Sequence, residues 1–142
     1  MREPISGPEA RPRLNGLHHV KVPVADVARS RDWYAGVFDL ETELEFVEGG
    51  CLAGVSLRDA DRTLRLALRA DSARARALAG FDAVALGVHT RAALDEWAMR
   101  LEGLGHPHRV ESGRLGWVIS GLRDPDGIEV RLYTIEEHGG KR

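Results

Sequence analysis

Two stretches of the chain carry one pattern. LHHVKVPVADVARSRDWYAGVFDL (17–40) and FDAVALGVHTRAALDEWAMRLEGL (81–104) superpose at a fixed offset of 64, and a repeat of that length decides the architecture before any single element is considered. Val20, Val22 and Val24 fall on Val84, Leu86 and Val88, while Trp33, Val37 and Leu40 fall on Trp97, Leu101 and Leu104. The apolar period changes partway along each copy. Alternation predicts a strand with one face on a core, Asp26 or Thr90 supplies an N-cap oxygen, and helical spacing follows.

Three strand-like runs separated by turn residues come after each helix. In the first copy they are Glu41 to Glu48, Cys51 to Leu57 and Thr63 to Arg69; in the second, roughly His108 to Glu111, Leu115 to Ser120 and Ile128 to Thr134. The predicted fold class is therefore α+β, a tandem βαβββ. The last strands match at an offset of 66, with Leu64-Arg65-Leu66 on Val130-Arg131-Leu132. One domain is expected over 14–135, with module 1 at about 14–69, an Ala/Arg linker of helical potential at 70–80 and module 2 at about 81–135. Residues 1–13 and 136–142, rich in Pro or Gly and polar groups, read as flexible ends.

Composition narrows the partners. A formal net charge of -2 with no basic arm leaves no electrostatic footprint for nucleic acid. No run reaches the roughly 18 apolar residues of a membrane span, and the polar N-terminus lacks a signal-peptide core, so a cytoplasmic protein is expected. The single cysteine, Cys51, excludes an internal disulfide and reads as a small buried hydrophobe.

The tandem pattern, with LHHVKVPVADVARSRDWYAGVFDL at its start and DPDGIEVRLYT at its end, resembles the vicinal oxygen chelate superfamily of glyoxalase I, extradiol dioxygenases, and fosfomycin and bleomycin resistance proteins. The resemblance implies that each module's strands curl into a cupped mixed sheet around a small-molecule cavity. It also implies a homodimer, in which the cavity is often completed across the interface.

Strand parity sorts the side chains. If Val20, Val22 and Val24 face the helix, then His19, Lys21 and Pro23 face the cup; Leu64, Leu66 and Leu68 likewise leave Arg65, Ala67 and Arg69 inward. In module 2 the same rule turns Glu129, Arg131 and Tyr133 inward, and counting back from Asp124 adds Trp117, Ile119 and Gly121. His18 shares the helix-facing side and reads as structural. A slip of one residue inverts any of these sets.

The resemblance implies four metal-ligand positions, which correspond to His19, Arg65, Ala83 and Arg131. Of these only His19 offers a lone pair, because guanidinium carries donors and a fixed positive charge. No cofactor is therefore expected, and the alternative is one divalent ion (Zn, Ni, Mn or Fe) held by a set the parity argument misses. Arg65 and Arg131 would instead put positive charge where the family puts a cation. The cup would hold an anionic ligand, with Lys21, Arg69, Glu129 and Tyr133 lining it and Trp117 available to stack on an aromatic group. Ion pairs of Arg65, Arg69 and Arg131 with Glu129, Glu43, Glu45 and Glu48 are the plainer alternative.

His19 is the one candidate for acid–base work. Ser56, Ser120 and Cys51 lack an identifiable base, and His106-Pro107-His108 reads as a turn. Two functions follow: a binding protein of the bleomycin-resistance kind, or a lyase, isomerase or oxygenase of the superfamily that uses His19 as base or metal ligand.

Overall fold

The computed structural model describes residues 11–136, so most of both expected flexible ends lies outside the described residues. Each module is a four-stranded sheet backed by a helix. Module 1 comprises β1 (Val20–Val24), α1 (Val27–Phe38), β2 (Glu41–Glu48), β3 (Cys51–Arg58) and β4 (Arg65–Ala70); α2 (Ser72–Leu78) forms the linker. Module 2 comprises β5 (Val84–Val88), α3 (Arg91–Leu104), β6 (Arg109–Ser112), β7 (Trp117–Ser120) and β8 (Val130–Thr134).

The strand orders are β1-β4-β3-β2 and β5-β8-β7-β6, each with its first strand parallel to its last and the remaining pairs antiparallel. A parallel neighbour requires a long crossover, and the helix between first and second strands begins it. Both predicted N-caps form. Asp26 accepts from the Arg29 N–H at 3.0 Å, and Thr90 accepts from the Ala93 N–H at 3.1 Å.

The helices lie on the back of the sheets and join the modules. Arg100 of α3 donates to the carbonyls of Val37 and Gly36 at 2.9 and 2.8 Å, satisfying the open C-terminal end of α1. Phe38 packs against Trp97 and Trp33 against His106, so both repeat tryptophans serve the joint between modules. Tyr34, fully buried on α1, donates to Asp124 at 2.7 Å. Asp124 also accepts the N–H groups of Asp126 and Ile128, which closes the turn before β8. Burial pushes the Tyr34 hydroxyl up, as does the facing carboxylate, and burial raises Asp124 as well.

Sheet register corrects the offset of the last strands. Val20 pairs with Leu66 and Val84 with Val130, so the offset stays at 64 and Arg131 occupies the place of Ala67. Glu129 takes the place of Arg65. Cys51 is also corrected: it is exposed at the start of β3 on the edge hairpin, where no core reaches it.

Candidate functional site

The opposite face of sheet 1 forms an open cup of about 520 Å³. Its floor is a continuous row across four strands, Lys21, Ala67, Ser56 and Leu44, beside a second row of Pro23, Arg69, Gly54 and Phe46. Small residues at the two central strands make the depth. Gly54 is required there, because a Cβ would stand 2.8 Å from the Leu68 carbonyl oxygen.

His19, Lys21, Arg65 and Arg69 all line this cavity. The two arginines are half-buried and already engaged. Arg65 makes a two-pronged pair with Glu43, Nε to Oε1 at 2.5 Å and Nη2 to Oε2 at 3.3 Å. Arg69 reaches both oxygens of Glu48 at 3.0 and 3.1 Å. Glu43 also accepts from Ser56 Oγ at 2.9 Å and lies 3.5 Å from Arg58. Those hydrogen bonds, that of Arg65 foremost, hold its carboxyl down at about 2. The ion-pair alternative thus describes the arginines, and Lys21 is the lining cation that no carboxylate among the described residues pairs.

His18 is corrected. It precedes the strand, so alternation does not govern it, and it lines the cup beside His19. Its Nε2 lies 3.3 Å from Arg65 Nη1 and its Nδ1 lies 2.8 Å from His19 Nδ1. Because guanidinium only donates, His18 Nε2 accepts and its Nδ1 donates to His19. His19 in the neutral form then carries its proton on Nε2 and offers a donor, as Lys21 does.

Module 2 places its candidates differently. Arg131 donates from Nε to Glu129 at 2.7 Å and pairs with Asp82 at 3.3 Å; its Nη1 lies 3.3 Å from the Tyr133 hydroxyl. Glu129 is buried. Desolvation acts to raise it, but the Gly121 N–H and the Arg131 guanidinium hold its carboxyl below the usual range. The arginine fork is spent on its own module.

Trp117 is on the other face, a second correction of parity. Ile119 pairs with Leu132 but Arg123 bridges Glu129, so one extra residue is accommodated on the earlier side, at Gly121, whose φ is 83°. The bulge inverts the strand. Val118 faces the cup opposite Tyr133, Ile119 is in the core, and Trp117 packs on the helix side with the Arg91 guanidinium 3.8 Å over its ring.

A serine–carboxylate pair recurs in both modules: Ser56 with Glu43, and Ser120 donating to Glu111 at 2.6 Å. Sequence reasoning missed both partners, and it missed Leu44 and Phe46 as walls of the cup. The alternation of those two along β2, opposite Ser56 and Gly54, was the available signal.

The side chains do not fit a divalent cation. Arg65, Ala83 and Arg131 offer no lone pair, the neighbouring Glu129 is engaged by Arg131, and no group of three His, Cys, Asp or Glu side chains gathers among the described residues.

Residues 16–132 match the family model described as Glyoxalase/Bleomycin resistance protein/Dioxygenase superfamily. The chain belongs to that superfamily. Solved members of similar fold include a glyoxylase/bleomycin resistance protein/dioxygenase domain from Frankia sp. EAN1pec, 22% identical over 86% of this chain and 98% of that one, with a TM-score of 0.68. A lactoylglutathione lyase from Agrobacterium tumefaciens is 20% identical over 86% and 96%, at 0.66. TnmS3, an antibiotic binding protein from Streptomyces sp. CB03234, is 18% identical over 85% and 98%, at 0.62. No curated protein matches the sequence significantly. Among superfamily members these span a catalyst and a binder on one scaffold, so the site decides.

Proposed function

We propose that this superfamily member binds a small aromatic monoanion in the module 1 cup, without a metal ion and without transforming it. The observation that carries the reading is the combination of one unpaired ammonium, Lys21, with an apolar wall of Leu44 and Phe46 over the floor at Ala67. Arg65 and Arg69 cancel against Glu43 and Glu48, which leaves the charge of Lys21 for the ligand, with the donor edge of His19 beside it. A planar group against Phe46 would bury apolar surface that is otherwise exposed. The antibiotic-binding neighbour is in keeping with a pocket used for holding.

The reading includes a second copy of the chain. The two sheets are separate within one chain and their cups open away from the shared helices, so a twofold mate would roof each cup. The exposed Cys51 thiol suits a reducing, cytoplasmic setting.

Thermal-shift titration with small aromatic carboxylates, organic phosphates and the matching neutral amides tests this, with mass by light scattering on the same samples. Carboxylates should stabilise a dimer, and Lys21→Ala should weaken them about tenfold by removing a charge-assisted hydrogen bond. Arg131→Ala should leave the affinity unchanged. Equal binding of acids and amides, or an acid affinity indifferent to Lys21→Ala, would overturn the reading.

A further inference from the structure

We infer that Ser56 reads hydrogen-bond polarity in this cup, accepting a hydrogen bond from the bound molecule, so that the occupant is an aromatic acid with a hydroxyl or amino group on the side away from its carboxylate. This deepens the proposal above and rests on it.

The argument begins with Glu43. Its Oε1 takes Arg65 Nε and Ser56 Oγ, and its Oε2 faces Arg65 Nη2 and Arg58 Nη1. Such a carboxylate stays ionised and has no proton to lend. The Ser56 hydroxyl must therefore be the donor in the 2.9 Å contact, and its single hydrogen is committed. What remains on Oγ is two lone pairs, which no donor side chain among the described residues occupies. Ser56 lines the cavity on the face it shares with Lys21 and Leu44.

Position gives the ligand its length. Lys21 and Ser56 lie in one row with Ala67 between them, two inter-strand spacings or roughly 10 Å apart at Cα. The ammonium stem covers part of that span. A single ring across Ala67, with an acid at one end and a donor at the other, bridges the rest, and Phe46 flanks it in the next row.

Module 2 shows that the fold dictates the orientation of the serine. Ser120, at the place of Ser56, donates to Glu111 across the same edge hairpin, yet it is completely buried. The pair clamps both edge strands, and the clamp borders an open cavity at Ser56.

Two nearly isosteric probes separate the possibilities: 4-hydroxybenzoate donates at the para position and 4-fluorobenzoate does not. Calorimetric titration of the full chain should give about tenfold tighter binding of the hydroxyl compound, the span of one hydrogen bond made or left unmade at a buried group. Ser56→Ala should bring the ratio to about one while holding the fluoro affinity within about twofold, because Arg65 still anchors Glu43. Circular dichroism verifies the fold of the variant. A ratio near one in the unsubstituted protein, or a tenfold ratio that survives Ser56→Ala, overturns the Ser56 assignment. If Lys21→Ala still weakens both probes equally, the acid-binding reading stands without it; if neither probe binds, both readings fall together.

Discussion

The two cups share a strand order and a register, yet they handle charge differently and differ in size. In module 1 the row Pro23, Arg69, Gly54 and Phe46 has a glycine on its third strand and borders a cavity of about 520 Å³; the equivalent row of module 2, Gly87, Tyr133, Val118 and Glu111, has Val118 there and borders a smaller one of about 400 Å³. Where module 1 has Ala67 facing Lys21, module 2 has Arg131 facing Ala85. The cation has moved from the outer strand, where its tip is unpaired, to the neighbouring strand, two residues beyond Glu129 on the same face. A guanidinium so placed is neutralised locally and lines the smaller cavity. One frame thus carries different side chains at the middle of each sheet: a larger cup beside an unpaired cation in module 1, and a smaller one whose guanidinium is paired within its own module in module 2.

Cutting the link through which the two modules share one core is the strongest way to break this comparison. Asp124→Ala orphans the Tyr34 hydroxyl and two backbone N–H groups, and it should cost about 3 kcal/mol in denaturant unfolding. Tyr34→Phe should cost about 1 kcal/mol. Both variants should unfold in a single transition, because α1, α3 and the β8 turn belong to one core; two resolved transitions would show independent modules.

A glycine in each cup sharpens the contrast. Gly54→Ala pushes a Cβ to 2.8 Å from a backbone carbonyl, which cannot yield cheaply, and should cost about 2 kcal/mol while making module 1 shallower. Gly87→Ala meets the exposed end of Ile135 at 2.9 Å, which can swing away, and should cost below about 0.5 kcal/mol. Equal costs for the two would remove the distinction between an unyielding floor and a soft one.

The smallest effect is electrostatic. Glu43 is held at about 2 against an ordinary 4.5, so its contribution is present above pH 4.5 and lost as pH falls towards 2. Stability measured across that window should fall more steeply for the unsubstituted protein than for Glu43→Gln. Parallel slopes would mean that salt and solvent screen the Arg65 pair to nothing.

The frame was legible because repetition and period are local properties. The offset of 64, the caps at Asp26 and Thr90 and the extent of β2 follow from neighbours in sequence. The contents of the cups were only partly legible. Lys21, Arg65 and Arg69 obey strand parity, but parity says nothing of partners 22 residues away, so the pairing of Arg65 with Glu43 stayed one of two alternatives. Parity failed where its premise failed: His18 stands before its strand, and Trp117 stands on the far side of the bulge at Gly121. The offset of 66 came from matching letters, Leu-Arg-Leu to Val-Arg-Leu, when hydrogen bonding aligns Leu66 with Val130.

That bulge has a wider bearing on lineages built from this fold. A single codon gained or lost beside Gly121 exchanges what an entire strand shows to solvent and to the interior, so Trp117 and Val118 could trade sides with neither one mutating. Insertions and deletions there offer descent a coarse dial for pocket chemistry, turned in one step, whereas point changes turn it gradually.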